Sequence, residues 1–214
     1  MKGTVFSSSS FRSKRGGIFK SAVALLAFTG AAGILGWMLL MPGALRSEIE
    51  VRTGFPVSAE KLAINPFGLS VSGENVVIGN PGSYGGGAPM LEIASLEGSA
   101  SLPSLGRGEI WIYELELRVS RAVLVVDERG RLNLDAFANR LFARQDGGEP
   151  MPFFAEKVHL VIDELVFVDN SRLVPSERSV RALLDVELAD LEEHREIFGP
   201  LFELAQSVGS LPIQ

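Results

Sequence analysis

Residues 53–81 read "TGFPVSAEKLAINPFGLSVSGENVVIGNP", and the period of their apolar residues decides the fold. From Val57 onward the apolar positions fall two apart: Leu62 with Ile64, Leu69 with Val71, Val76 with Ile78. A period of two belongs to a half-buried strand, whereas a helix returns its apolar face after three and four residues. Asn65-Pro66 and Gly73 predict breaks between short strands, because proline fixes φ and lacks an N–H while glycine admits φ > 0. Asn80-Pro81-Gly82, followed by Gly85, Gly86 and Gly87, predicts a loop.

The segment before this stretch is of another kind. Ser21 to Met41 carries no charge over 21 residues, and at ~1.5 Å per residue such a helix covers the ~30 Å hydrocarbon core. Lys2, Arg12, Lys14, Arg15 and Lys20 precede it without an acid, so the positive-inside rule puts the N-terminus in the cytoplasm. The expected order is a disordered cytoplasmic tail (1–17), a transmembrane helix (18–41), a juxtamembrane helix and linker (42–56) and a periplasmic β-rich domain (57–214). A cleaved signal peptide is the rival reading, and it fits less well because the apolar run is long and Met41 to Leu45 is a poor small-x-small site. Ala44 to Thr53 is expected to form the short helix, stopping at Gly54.

The chain of 214 residues has a net charge of −6; taking away the five positive charges before the span leaves −11 on the remainder. An acidic exported part repels phosphate backbones and anionic headgroups, which argues against nucleic acid as a partner. With no cysteine, disulfides, thiolate metal sites and a cysteine nucleophile are excluded together.

Towards the C-terminus, Met90 to Leu102 reads as a long strand whose apolar phase slips, predicting a bulge near Ala94, and a second slip falls near Tyr113. Ala122 to Val126 is apolar throughout and is expected to be central or covered on both faces. Asn133 is expected to cap an amphipathic helix whose Leu134, Phe137, Ala138, Leu141 and Phe142 share one face. Gln145 to Pro152 reads as a linker, Val158 to Val168 as further β structure, and Val180, Ala182, Leu184, Val186 and Leu188 as one face of a half-buried strand. Phe198 to Val208, opening with Gly199-Pro200, is expected to be a short helix over the open end of the sheet. Leu115-x-Leu117 with Val123-x-Val125-x-Asp127 echoes Val158-x-Leu160 with Leu165-x-Phe167-x-Asp169. Two readings of that echo stand: duplicated antiparallel hairpins, or the common look of amphipathic strands.

Side chains with chemistry are few. His159 and His194 are far apart in sequence, and a metal site needs three or four convergent ligands. Asp163-Glu164 and Glu192-Glu193 are adjacent carboxylates, which point apart and read as solvated surface. Gly85-Gly86-Gly87 matches no phosphate-cradling pattern. Trp111 and Tyr113 read as core more readily than as ligand-facing, and the row from Val180 to Leu188 as core more readily than as the floor of a lipid groove. We assign no catalytic residue, no metal ligand and no cofactor.

The order of these features resembles the N-terminal portion of the AsmA-like family of bacterial envelope proteins. The likeness rests on the lone span, Gly54, Pro56-Val57, Pro66-Phe67, Asn80-Pro81, Ser104-Leu105, the Ile110, Ile112, Leu115 and Leu117 strand, and Asp127, Gly130, Asn133 and Leu134. It covers roughly residues 18–190. The resemblance implies an α+β, mainly antiparallel β fold: a single N-terminal transmembrane helix, then a curved, meandering sheet with one amphipathic helix packed on it. It further implies an inner-membrane-anchored, non-enzymatic periplasmic protein that assists outer-membrane biogenesis or lipid transport through an apolar sheet face. Its implied partners are the inner membrane, phospholipid or another envelope lipid, and another envelope protein. Larger members of the family carry many more strands, so this chain is expected to be an anchored binding module, an accessory subunit or a truncated relative, and not by itself an intact bridge between membranes. The alternative is an anchored protein–protein interaction or scaffold module of the envelope without lipid cargo.

Overall fold

The computed structural model describes residues 40–65, 68–101, 103–104, 107, 109–143, 152–171, 176–181 and 184–210. The expected tail, nearly all of the expected transmembrane helix, Pro66-Phe67, Leu105, Ala182 and the linker up to residue 151 lie outside them. Among the described residues no helix is long and apolar enough to cross a membrane.

Helix α1 covers residues 40–53 and ends where the sequence indicates. Gly54 stands at φ +72° and donates its N–H to Glu50 O at 2.8 Å, a left-handed termination that favours glycine. The chain is then fixed from both sides. Glu50 accepts the N–H of Val57 at 2.7 Å, the buried Thr53 hydroxyl accepts that of Phe55 at 3.1 Å, and Pro56 O accepts that of Gly79 at 2.8 Å.

An eight-stranded sheet follows: β1 (Val57–Asn65), β2 (Ser70–Gly79), β3 (Pro89–Ala100), β4 (Ile110–Val126), β5 (Phe153–Ile162), β6 (Leu165–Asp169), β7 (Ser176–Val180) and β8 (Leu184–Leu191). The order is β1-β2-β3-β4-β5-β8, with β6 paired to β4 and β7 to β6. The first four strands form the expected antiparallel meander, and Gly73 lies inside β2 instead of dividing it.

The meander then stops. The 17-residue β4 pairs in parallel with β5 along its first part and with β6 along its last, so the sheet is mixed and not antiparallel throughout. The reason lies in the connection: helix α2 (Asn133–Phe142) crosses between β4 and β5, and a parallel neighbour needs such a crossover. The internal echo takes its meaning from this pairing. Leu115 stands opposite Val158 and Leu117 opposite Leu160, as in the echo, while Val123 and Val125 stand opposite Val166 and Val168, one residue beyond the echo's Leu165 and Phe167. What repeats is one long strand laid beside another, not a hairpin.

Strands β7 and β8 return antiparallel along β6 and β5, so the expected single strand from Val180 to Leu188 is divided: Val180 ends β7 opposite Leu165, and the alternation holds in β8, with Leu184, Val186 and Leu188 half-buried and Asp185 and Glu187 exposed. Both predicted slips are present as register shifts of β3 against β4, around Ala94 and at Tyr113. Helix α3 (His194–Ser210) begins four residues before the expected Phe198 and carries Pro200 within it. Its start is fixed by Glu196, whose carboxylate accepts the N–H groups of Glu192 and Glu193 at 2.9 and 3.1 Å. Helices α2 and α3 touch each other and pack on β4, β5, β6 and β8. The main core of Phe55, Met90, Leu91, Leu124, Leu134, Phe137, Leu160, Ile162 and Leu165 lies between these layers.

Candidate functional site

The ladders place matching residues of all six long strands in rows. One row is Leu62, Gly73, Leu96, Leu117, Leu160, Val186; the next, farther from α1, is Ile64, Val71, Gly98, Leu115, Val158, Leu188. Nearer α1 lie Val57, Ile78, Leu91, Ala122 and Leu165, and then Ala59, Val76, Ile93, Val119, Ile162 and Leu184. In β1 to β3 three residues separate the middle rows, where pleating alone gives two. That extra step keeps all four rows on one apolar face, as a bulge does.

Cover is uneven along this face. The two rows nearest α1 are mostly buried, with Val119 1% exposed and Leu165 0%, beneath Phe55, Tyr84 and Phe137. Leu62, Ile64, Val71, Leu96, Leu115 and Leu117 are only half-buried. They form an apolar strip on the far half of β1 to β4, where Leu96 and Leu117 lean on the main core and Leu115 on a second cluster with Val158 and Ile197. Two glycines deepen it. A Cβ on Gly98 would meet Leu115 and Val71 at 3.4 and 3.5 Å, and one on Gly73 would meet Val76 at 3.0 Å. The strip is two rows deep along each strand and runs across β1 to β4, three strand spacings of ~4.8 Å or roughly 14 Å, close to the hydrocarbon depth of one leaflet. Leu184, Val186 and Leu188, the residues expected to choose between core and groove, pack against the core on the side of the sheet that α3 covers.

The opposite face is polar. Lys61 pairs with Glu74, Lys157 with Glu114 at 3.4 Å, Arg118 with Asp163 at 3.4 Å, and His159 with Asp185 at 2.8 Å. These are exposed pairs worth little each. Two shallow depressions of about 310 and 240 Å³ lie here, lined largely by serines and by Glu97, Glu114 and Glu116. Val71 and Leu117 of the strip reach their walls, but no nucleophile stands beside a base among the residues lining them, and the continuous apolar surface belongs to the strip, which is the stronger candidate. Trp111 and Tyr113 are on the sheet surface, 36% and 45% exposed, and not in the core. Trp111 packs edge-on against Phe154 and donates its indole N–H to Glu156 at 3.0 Å.

The remaining singled-out residues have local partners. Asp163 and Glu164 sit at the break between β5 and β6, where Glu164 faces Arg121 at 3.6 Å and accepts the Ser179 hydroxyl at 2.9 Å. His194 stacks on Phe142 with ring centres 4.2 Å apart, and burial lowers its pKa. Among the described residues no group of three or more His, Asp or Glu could hold a metal ion.

A buried polar knot near α1 supports the apolar face, and sequence reasoning missed its role. Beyond the reach of β3, the edge of β4 would be left open at Val123 and Val125. The Asn133 carboxamide, 0% exposed, completes it as a strand would. Its oxygen accepts Val125 N–H at 3.0 Å and Leu134 N–H at 2.8 Å, and its nitrogen donates to Val123 O at 2.8 Å and Asn80 Oδ1 at 2.9 Å. The helix N-cap is Leu132, without a side-chain cap, and Asn133 is the first helical residue, its side chain serving the edge of β4 as well as the first-turn Leu134 N–H. Beside it Asp127 Oδ1 accepts the N–H groups of Arg129 and Arg131 at 2.9 and 2.8 Å, and Gly130 stands at φ +75°. Those bonds hold the Asp127 pKa below the ordinary carboxylate value, chiefly through the Arg131 N–H. The signal was present in the sequence: Asn80, Asp127, Gly130 and Asn133 are the small polar residues of the resemblance, and here they converge.

Comparison of the chain with protein-family models, with curated proteins and with solved structures returned no match.

Proposed function

We propose that this chain is an AsmA-like protein of the bacterial envelope, anchored in the inner membrane, whose periplasmic sheet holds the acyl chain of a phospholipid or other envelope lipid. The observation that carries this reading is the half-buried strip of Leu62, Ile64, Val71, Leu96, Leu115 and Leu117. It is apolar, long enough for an acyl chain, and continuous with the core. Burying each methylene there contributes about 0.8 kcal/mol before the chain's ordering is subtracted, so a handful suffices for a useful affinity. The protein acts by holding and guiding lipid, with the polar knot and the helices keeping the sheet rigid behind the strip. The uncharged run from Ser21 to Met41 and the basic residues before it support the anchor and its orientation.

The test is native mass spectrometry of the full chain, released from envelope membranes in mild detergent. The reading expects a bound phospholipid that the variant Leu96→Asp/Leu117→Asp loses while remaining folded. Equal lipid on both proteins would sink it.

A further inference from the structure

We propose that the two free edges of the sheet join copies of this chain side by side, β8 of one copy accepting β1 of the next as its parallel neighbour. Among the described residues β1 pairs only with β2, and β8 only with β5. Apart from Val57, whose N–H Glu50 accepts, and Asn65, the outer side of β1 has no described strand along it, nor has that of β8, and such an edge is a template for a further strand.

Three observations make a second copy the occupant. The first is direction. Passing from β1 to β8 through the ladders crosses four antiparallel pairings and one parallel pairing, so both edge strands run away from α1. A next copy turned to follow the twist of the sheet and laid with its β1 parallel to β8 keeps its α1 at the same end of the joint. The second is the rows. Val186 lies in the row of Leu62, and Leu188 in that of Ile64. A neighbouring β1 in this register continues the apolar rows of β8 without a break, so the strip of one copy runs on from the apolar face of the next. The third is charge. Asp185 shares its row with Lys61, both exposed on the polar face, so opposite charges meet at the joint. Pairing β8 with another β8 would instead bring Asp185 and Glu187 against their own kind.

Such a contact is heterologous and so extends into an array or closes into a ring. It is independent of whether the strip holds lipid.

The chain has no cysteine, so introduced thiols report the contact directly. Ala63 and Glu187 share a row and are both exposed. Within one chain they stand five strand spacings apart, roughly 24 Å, beyond the ~7 Å that a disulfide spans between Cα atoms. Oxidising the purified Ala63→Cys/Glu187→Cys variant of the whole chain is expected to give, on a gel run without reductant, a ladder of dimers, trimers and larger species that collapses on reduction. Each single variant stays monomeric, and so does Ser58→Cys/Glu187→Cys, whose thiols are out of register by five residues. A double variant that stays monomeric while maleimide labels both thiols overturns the proposal. So does dimerisation of either single variant, or an equal ladder from the out-of-register pair.

Discussion

Replacing Asn133 with alanine is the sharpest test of how the sheet is held at its α1 end. The side chain is fully buried and makes four hydrogen bonds, two of them to the backbone of β4. Alanine leaves Val125 N–H and Val123 C=O without partners in a site closed to water. Each orphaned group costs about 1 to 3 kcal/mol, so the pair costs about 4 kcal/mol out of a total stability of 5 to 15 kcal/mol. At 2 to 4 °C per kcal/mol for a domain of this size, the melting temperature should fall by roughly 8 to 16 °C. Asn133→Asp keeps the shape but loses the two donors, setting an oxygen against Val123 O and Asn80 Oδ1; it should be at least as damaging. Asn80→Ala should be milder, because among the described residues the Asn80 amide nitrogen has no hydrogen-bond partner to lose. The assay is thermal melting of the full chain by circular dichroism, with the exposed Glu97→Gln as control. A fall of less than about 2 °C for Asn133→Ala would refute the strand-completing role.

Three further outcomes are expected. Asp127 has a depressed folded pKa, so its contribution to stability is complete above the unfolded value near 3.9 and is lost as pH falls through the lower folded value; Asp127→Asn should flatten the acid limb of a melting-temperature profile below about pH 4. His194 is likewise depressed, by burial against Phe142 and beside Arg195, so the docking of α3 should weaken as pH drops below about 6.5, and amide exchange in α3 should lose that dependence in His194→Phe. Gly98→Leu places a side chain in the strip where a Cβ meets only ordinary contacts; it should fold, melt within a few degrees of the parent, and carry severalfold less lipid in a binding assay.

Much of this architecture was legible because alternation survives whatever surrounds it. The period of two through Leu62, Ile64, Val76 and Ile78 placed β1 and β2, the phase slips placed the bulges near Ala94 and at Tyr113, and Gly54 ended α1 where expected. Gly73 misled because glycine breaks a strand only where nothing pairs across it, and here Leu62 and Leu96 hold it in register from both sides. The parallel pairing of β4 with β5 and β6 was hidden because a strand's pattern records which face is buried and not which way its neighbour runs. Its trace was the echo of Leu115 and Leu117 in Val158 and Leu160. Trp111 and Tyr113 were misassigned because the aromatic signal for burial is weak at an end of the sheet. The strip was the hardest to foresee. Its residues share the pattern of the core rows, and only the placement of α2 and α3 separates covered from uncovered.

The lipid-holding reading turns on which face of the sheet meets acyl chains in the living envelope. A photo-activatable side chain placed at Leu96 or Leu117 on the apolar face, or at their neighbours Glu97 or Glu116 on the polar face, asks this directly. After irradiation of intact cells, the account predicts phospholipid adducts on the purified chain at Leu96 and Leu117 and none at Glu97 and Glu116. Adducts absent from all four sites, or equally frequent on the two faces, would contradict it.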